Sequence, residues 1–283
     1  MTIVSIQSHV SYGHVGNSAA VFPMQRLGHE IWPVHTVNFS NHTGYGQWGG
    51  EVIPAAQVRD VISGMKERDA FPKVDAVLSG YQGSPEIADV IIDAVNQIKE
   101  ANPAALYACD PVMGNKKSGC FVSDEIPPLL RDKVLPVADI ITPNQFELGY
   151  LTEMEVHDLN STVAAARKAQ EIGPQTVLVT SVFRPETPKG TVEMLVVHHD
   201  EAWLVQTPFL DFKRNGSGDL TAALFLANFL DTSSAHQALE KTATAVFNTI
   251  EQTFQAGASE LLIVSAQDNY VVDKPKFHAI SVV

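Results

Sequence analysis

The 283-residue sequence predicts an α/β fold, a mostly parallel sheet covered by helices on both faces. Three observations predict it. Short β-like runs alternate with helical patterns through almost the whole chain. Polar residues follow the ends of successive strands, at Ser8, the 40–46 loop, Tyr81, Asp110, Asn144 and Ser181, and open parallel sheets bind ligands at that edge. No Gly-, Ser- or Pro-rich linker, internal repeat or low-complexity segment divides the chain, so residues 1–283 read as one domain.

IVSIQ (3–7) is the first strand and runs into a polar, glycine-bearing turn, SHVSYGHVGN. A helix over 17–27 stops at Gly28. EIWPVHTVNF (30–39) is the second strand, in which Pro33, lacking an N–H, argues for an edge or a bulge. VDAVLSG (74–80) is the third. SPEIADVIIDAVNQIKEANP is the clearest helix: Ser84 caps it, Pro85 takes the first turn, and Ile87, Val90, Ile91, Val95 and Ile98 share one face. ALYACD (105–110) and ADIIT (138–142) are short buried strands; 161–172 is a helix and TVLVTSV (176–182) a strand. EMLVVHH and EAWLVQT form an antiparallel hairpin around Asp200 and Glu201. Two long helices, 218–230 and 234–256, precede a last strand, LLIVSA (261–266).

A hydrophobic content of 45% with 18% charged residues fits a soluble protein with a full core. Net charge is −13, and no Lys/Arg run exceeds Lys116-Lys117, which argues against nucleic-acid and anionic-membrane partners. An anionic ligand would have to be held by local backbone dipoles and a metal. The N-terminus lacks a basic leader and a long apolar run, so no signal peptide or membrane span is expected. Cys109 and Cys120 fit a reduced, cytoplasmic chain better than a disulfide scaffold, and they form no zinc pattern.

In RNGSGDLTAALFLANFL (214–230), Leu220, Ala223, Leu224, Ala227 and Leu230 recur at helical spacing behind Gly216 and Gly218. Ser217 or Asp219 could cap that helix, but a cap does not require glycine on both sides. Flanking glycines suggest bare N–H groups at a helix N-terminus, an anion site; a flexible loop with an ordinary cap explains the same residues. DPVMGNKKSGCF (110–121) places Asp110 directly after a buried strand, followed by a polar loop at about 112–122 that is either a lid or a surface excursion. In TPNQFE (142–147), Asn144 and Glu147 match a capping box. They could also orient water around Mg²⁺, which takes few protein ligands, and the two roles are compatible. The sequence contains no GxxxxGK[ST], no GxGxxG after the first strand and no GxSxG, so Walker-type, Rossmann and nucleophile-elbow chemistry find no support.

Taken together, the motifs resemble the pyridoxal kinases of the ribokinase-like superfamily. The matching stretches are QSHVSYGHVGNSAA (7–20), VNFSNHTGYGQW (37–48), LSGYQGS (78–84), CDPVMG (109–114), DIITPNQFEL (139–148) and NGSGDLTAALF (215–225), in the family's order. The resemblance implies a ribokinase-like three-layer α/β/α sandwich with a mostly parallel central sheet. It implies transfer of the ATP γ-phosphate to the 5′-hydroxyl of pyridoxal, with Gly216 and Gly218 as anion hole and Asp219 as base. Ser8 and Thr43 are then partners of the ring substituents, and Val15, His42 and Tyr81 its walls. Asp110, Asn144 and Glu147 fall on the Mg-phosphate side, Asp110 and Glu147 holding Mg²⁺ through water. Thr142, Thr180 and Ser181 lie near the nucleotide, with Asn215 to Gly218, including Ser217, against its phosphates. K⁺ and a homodimer are further implications. Some bacterial members carry a lysine near position 180 that reaches the ATP phosphates, whereas this chain has Thr180-Ser181; Arg214 receives no role.

Cys120 is the remaining substrate-binding candidate. A thiol adds reversibly to an aldehyde such as pyridoxal, and Lys116 and Lys117 would favour its thiolate; alternatively Cys120 only covers an apolar spot beside Phe121. Two other functions stay open: a hydroxymethylpyrimidine or sugar kinase of the same superfamily, and a pyridoxal or pyridoxal phosphate carrier without turnover. The QSHV and SNHTGYG stretches count against the first, and the intact Asp219 with both glycines against the second.

Overall fold

The computed structural model describes residues 1–212 and 214–282. Its first half comprises β1 (Thr2–Val10), α1 (Asn17–Arg26), β2 (Glu30–Phe39), β3 (Gly50–Val52), α2 (Ala55–Lys66), β4 (Ala76–Ser79), α3 (Pro85–Ala101) and β5 (Leu106–Cys109). A small hairpin follows, β6 (Gly114–Asn115) and β7 (Gly119–Cys120), then α4 (Ile126–Leu129), β8 (Ile140–Ile141), α5 (Gln145–Thr152) and α6 (Leu159–Ile172). The last part holds β9 (Thr176–Val182), β10 (Thr191–His198), β11 (Glu201–Pro208), α7 (Ser217–Thr232), α8 (Ala235–Gln255) and β12 (Ile280–Ser281).

Ten strands form one sheet in the order β12-β11-β10-β9-β8-β5-β4-β1-β2-β3. The six central strands, β2 to β9 in that order, are parallel, and antiparallel strands flank them on both sides. Alternate residues of the central strands enter opposite layers. Val4, Ile6, Val77, Tyr107 and Val179 pack with α2, α3, α5 and α6, whereas Ile3, Leu78, Ala108 and Leu178 pack with α1, α7 and α8. Burial on both faces is why these strands read as nearly continuous apolar runs. The result is the expected α/β/α sandwich. Among the described residues, no helix is long and apolar enough to cross a membrane.

Pro33 lies where β2 is an open edge, because β3 pairs only with Val37–Phe39. Three sequence expectations need correction. Residues 261–266 are turns rather than a strand: Leu261 and Ile263 are buried against α7 and α8, but their backbone bonds are local, Ile263 N–H to Leu261 O at 2.9 Å and Ala266 N–H to Leu262 O at 2.9 Å. The apolar pattern there reports burial, not a ladder. Ser84 begins α3 with its backbone only and its side chain caps no helical N–H. The first strand runs on to Val10, so Ser8 belongs to β1 itself and not to the turn beyond it.

Because the central strands are parallel, their carboxyl ends share one edge of the sheet, and the loops after β1, β2, β4, β5, β8 and β9 meet there. Asn17, the first residue of α1, anchors the first of these loops. Its Oδ1 accepts from Ser5 Oγ at 2.7 Å, and its Nδ2 lies 3.1 Å from Val34 O and 3.3 Å from Ser5 O. Asn17→Ala is expected to destabilise the fold by about 1–3 kcal/mol, since it strands buried polar groups. Urea unfolding checks this, and an unchanged midpoint would remove Asn17 as the anchor.

Candidate active site

The start of α7 has no side-chain cap. Gly216 occupies the N-cap position with φ 87°, so neither Ser217 nor Asp219 is the N-cap. The expectation that one of them caps the helix is therefore corrected: glycine begins it, and among the described residues no side chain caps the N–H groups of Ser217 and Gly218, as an anion site requires. Gly216 is required here twice. Its φ is left-handed, and a Cβ would fall on the His14 carbonyl of the loop after β1. Gly218 is different, because a Cβ there would meet no protein atom within 4 Å. The space before the helix end is open on that side.

Asp219 is the third residue of α7, half-buried, with its carboxyl end enclosed. The Gly16 N–H faces it closely enough to favour its charge, and Gly16 (φ 52°) is itself so close to Ser8 that a Cβ would overlap the Ser8 carbonyl and hydroxyl. Burial pushes the Asp219 pKa up, while the N–H groups of Gly16 and of Asp219 itself hold it down. The structure thus brings Ser8, Gly16, Gly216 and Asp219 together. Gly16 does not stand out from the sequence, although it lies in the glycine-bearing turn after the first strand.

Two further acids follow, Asp110, which feels the Asp219 charge, and Glu147 beside Asp110. Asp110 follows β5, is buried, and accepts from Thr142 Oγ1 at 3.2 Å. Its pKa is pushed well up, by burial first and then by the charges of Glu147 and Asp219. Glu147 completes the capping box of α5 with Asn144, as the spacing predicts. It does more than cap, because its Oε1 accepts the N–H groups of Met113 at 3.0 Å and Gly114 at 3.3 Å while Oε2 accepts from Asn144 N at 2.8 Å. Asn144 Nδ2 donates to Gly114 O at 2.7 Å. These two residues therefore pin the base of the 112–122 hairpin. Burial raises the Glu147 pKa to about 7 against the pull of those three N–H donors.

A buried carboxyl, Asp110, repelled by two others, Glu147 and Asp219, fits a cation. Among the described residues, no three His, Cys, Asp or Glu side chains are set to ligate an ion directly. Few protein ligands and a shell of water is the habit of Mg²⁺, so Asp110 and Glu147 suit that ion.

Val15 and Tyr81 pack with Val10, Val37 and Phe39 in one apolar cluster. Thr36 Oγ1 fixes the Tyr81 carbonyl at 2.7 Å, and burial raises the Tyr81 pKa. His42 and Thr43 stand on the β2–β3 loop, where His42 Nδ1 accepts the Gly44 N–H at 3.0 Å to start a short 3-10 turn. Thr180 N–H bonds to Pro143 O at 2.9 Å, which joins the β8 and β9 exits. Ser181 has φ 51°, at a bulge where β9 carries an extra residue against β10. Just beyond lies a pair that sequence reading missed: Arg184 donates to both oxygens of the fully buried Glu193, at 2.8 and 3.0 Å, with Thr187 and Gln206 completing its bonds.

Cys120 sits exposed on the hairpin, paired with Gly114, and Phe121 beside it is exposed too. The expectation of a thiolate favoured by Lys116 and Lys117 is corrected. Partial burial raises the thiol pKa, and Asp124 and Glu147 add to that.

The comparisons with known proteins converge on one group. Residues 51–263 match the phosphomethylpyrimidine kinase family. Pyridoxal kinase PdxY of Corynebacterium diphtheriae is 70% identical over 268 residues, 95% of each chain. This chain belongs to the pyridoxal kinase family. Pyridoxal kinase PdxY of Leifsonia xyli is 58% identical over 277 residues, 98% of each chain. The pyridoxal kinase of Leishmania donovani, solved in complex with ADP and pyridoxamine, matches with a TM-score of 0.92 at 28% identity, covering 100% of this chain and 99% of that one.

The acid cluster has a consequence for stability. The folded Glu147 titrates near 7 and an unfolded glutamate near 4.5, so between those values the folded kinase holds a proton that the unfolded chain has lost. Stability from this group is present at low pH and falls as pH rises through that window. Mg²⁺ is expected to raise the melting temperature clearly at pH 8 and little at pH 5, as read by calorimetry. An equal effect at both pH values would place the ion elsewhere.

Proposed function

We propose that this pyridoxal kinase transfers the γ-phosphate of ATP to the 5′-hydroxyl of pyridoxal, with Asp219 as the general base. The observation that carries the reading is a carboxylate set by the Gly16 N–H directly at the uncapped N-terminus of α7. Phosphoryl transfer asks a protein mainly for positioning and charge stabilisation. Here the open N–H groups from Ser217 onward face the phosphoryl oxygens, where the positive helix end stabilises the charge that spreads over them. Ser8 and Thr43 orient the vitamin ring between Val15, His42 and Tyr81, which brings its 5′-hydroxyl to Asp219. The hydroxyl proton passes to the Asp219 carboxylate as the oxygen bonds to the γ-phosphorus and the bond to ADP breaks. Thr142, Thr180, Ser181 and Asn215 border the nucleotide, and Asn144 keeps the 112–122 hairpin in place as a lid.

Mg²⁺, held through water by Asp110 and Glu147, would neutralise phosphate charge and the repulsion among the three acids. K⁺ is the second ion of the proposal, and the enzyme is a cytoplasmic homodimer made of one domain per chain. Release of ADP across pyridoxal, pyridoxine, pyridoxamine and hydroxymethylpyrimidine, with and without Mg²⁺ and K⁺, tests the reading. Preference for hydroxymethylpyrimidine would favour the activity named in the broader family match, and tight pyridoxal binding without turnover would favour a carrier. Asp219→Asn is expected to lower kcat by about 10²–10⁴-fold while ATP still binds, because the amide cannot take the proton. A near-normal kcat would remove Asp219 from the chemistry.

A further inference from the structure

Tyr45 stands half-exposed on the β2–β3 loop, and its hydroxyl donates to the carboxylate of Glu260, at the far end of the chain. Glu260 is not a loose surface acid. Its carboxylate lies against Gly13, where a Cβ would stand 2.7 Å from the carboxyl carbon, and the left-handed φ of 85° at residue 13 favours glycine there in any case. It also faces His14.

The turn that carries Glu260 is fixed from behind and touches a third loop in front. Leu262 N–H donates to Thr253 Oγ1 of α8 at 3.1 Å, and Leu261 is buried against α7 and α8. Ala258 O accepts from Arg214 Nε at 2.8 Å, while the Arg214 guanidinium lies 3.8 Å over the Phe212 ring. Ser259 Oγ pairs with Tyr12 Oη at 3.4 Å, and the Tyr12 and Tyr45 rings are 6.2 Å apart. Residues 258–260 therefore meet the loop that carries Gly16, the loop that carries His42 and Thr43, and the segment that leads into Gly216. An exposed tyrosine gains little from a lone surface acid, but an acid braced on two loops gives the third a fixed stop.

We propose that Glu260 is a positioning residue that clamps the 43–46 turn shut over the vitamin site and holds it in register with the helix end that carries Asp219. The part of the proposal that concerns the vitamin rests on His42 and Thr43 bordering pyridoxal; the clamp itself does not. The Tyr45–Glu260 bond ties the 43–46 turn to the 258–260 turn, so its loss is expected to weaken retention of the vitamin and leave the nucleotide side untouched.

Steady-state kinetics of Tyr45→Phe, Glu260→Ala and the double variant test it. Each single change is expected to raise KM for pyridoxal about three- to tenfold, the reach of one charge-assisted bond, with KM for ATP unchanged. The double variant should be no worse than the worse single, because both remove the same bond. Glu260→Gln, which keeps an acceptor oxygen, should recover part of the loss. An unchanged KM for pyridoxal, multiplying effects, or an equal rise in both KM values with a lowered melting temperature would overturn the proposal. Chymotrypsin cleavage after Trp48 reads the clamp without any substrate and should speed up about fivefold or more in the variants. An unchanged cleavage rate overturns the clamp whatever the substrate, whereas failure of the pyridoxal reading would appear in the unmodified enzyme as no turnover.

Discussion

Everything at this site depends on a helix that begins without a cap. The first turn of α7 has no side-chain cap among the described residues, and Gly216 lets the chain enter the helix from a left-handed turn pressed against the His14 carbonyl. That contact ties the helix end to the loop after β1. The same loop turns the Gly16 N–H toward Asp219, so the proposed base and the proposed anion-binding dipole are set by one short stretch of backbone. A side chain at either glycine would collide with backbone, which leaves the geometry little freedom to drift.

The second constraint is charge. In the proposed reading, a chain of net charge −13 must draw a polyanion such as ATP to a place that already contains Asp110, Glu147 and Asp219. Overall electrostatics oppose this, and only local features can reverse it: the positive end of α7 and a cation among the acids. The acids are accordingly held by backbone donors and a threonine hydroxyl rather than by lysine or arginine, as the three N–H bonds to Glu147 and the Thr142 bond to Asp110 illustrate. Backbone donors stabilise a carboxylate without filling the cation's place. Arg184, the partly buried arginine close by, is held by Glu193 and Glu186 and shapes the β9 exit instead.

The central strands and the acids at their ends were legible because parallel strands bury both faces and bring the residues at their carboxyl ends to one edge. Glu147 could be placed from its spacing to Asn144 alone. Helix α2 and strand β3 went unread because they are marginal to the core: only Val58 and Ile62 of α2 are buried, and β3 is exposed throughout. Leu261 and Ile263 misled because burial against helices yields the same apolar pattern as a strand. The Gly16 donor leaves no mark beyond a glycine, since its function belongs to the backbone. The pairs Arg184 with Glu193 and Tyr45 with Glu260 are unions of distant segments that no local period encodes.

Gly218→Ala, followed by single-turnover phosphoryl transfer from MgATP to pyridoxal, tests the central claim most directly. The added methyl meets no protein atom within 4 Å and the position needs no left-handed backbone, so folding should be unaffected. If the open N-terminus of α7 is where the phosphoryl group sits, the methyl intrudes on that space, and the transfer rate should fall about tenfold or more, a loss of about 1.4 kcal/mol in transition-state stabilisation, with an unchanged melting temperature. An unaltered transfer rate would mean that the phosphoryl group passes elsewhere and would contradict the account.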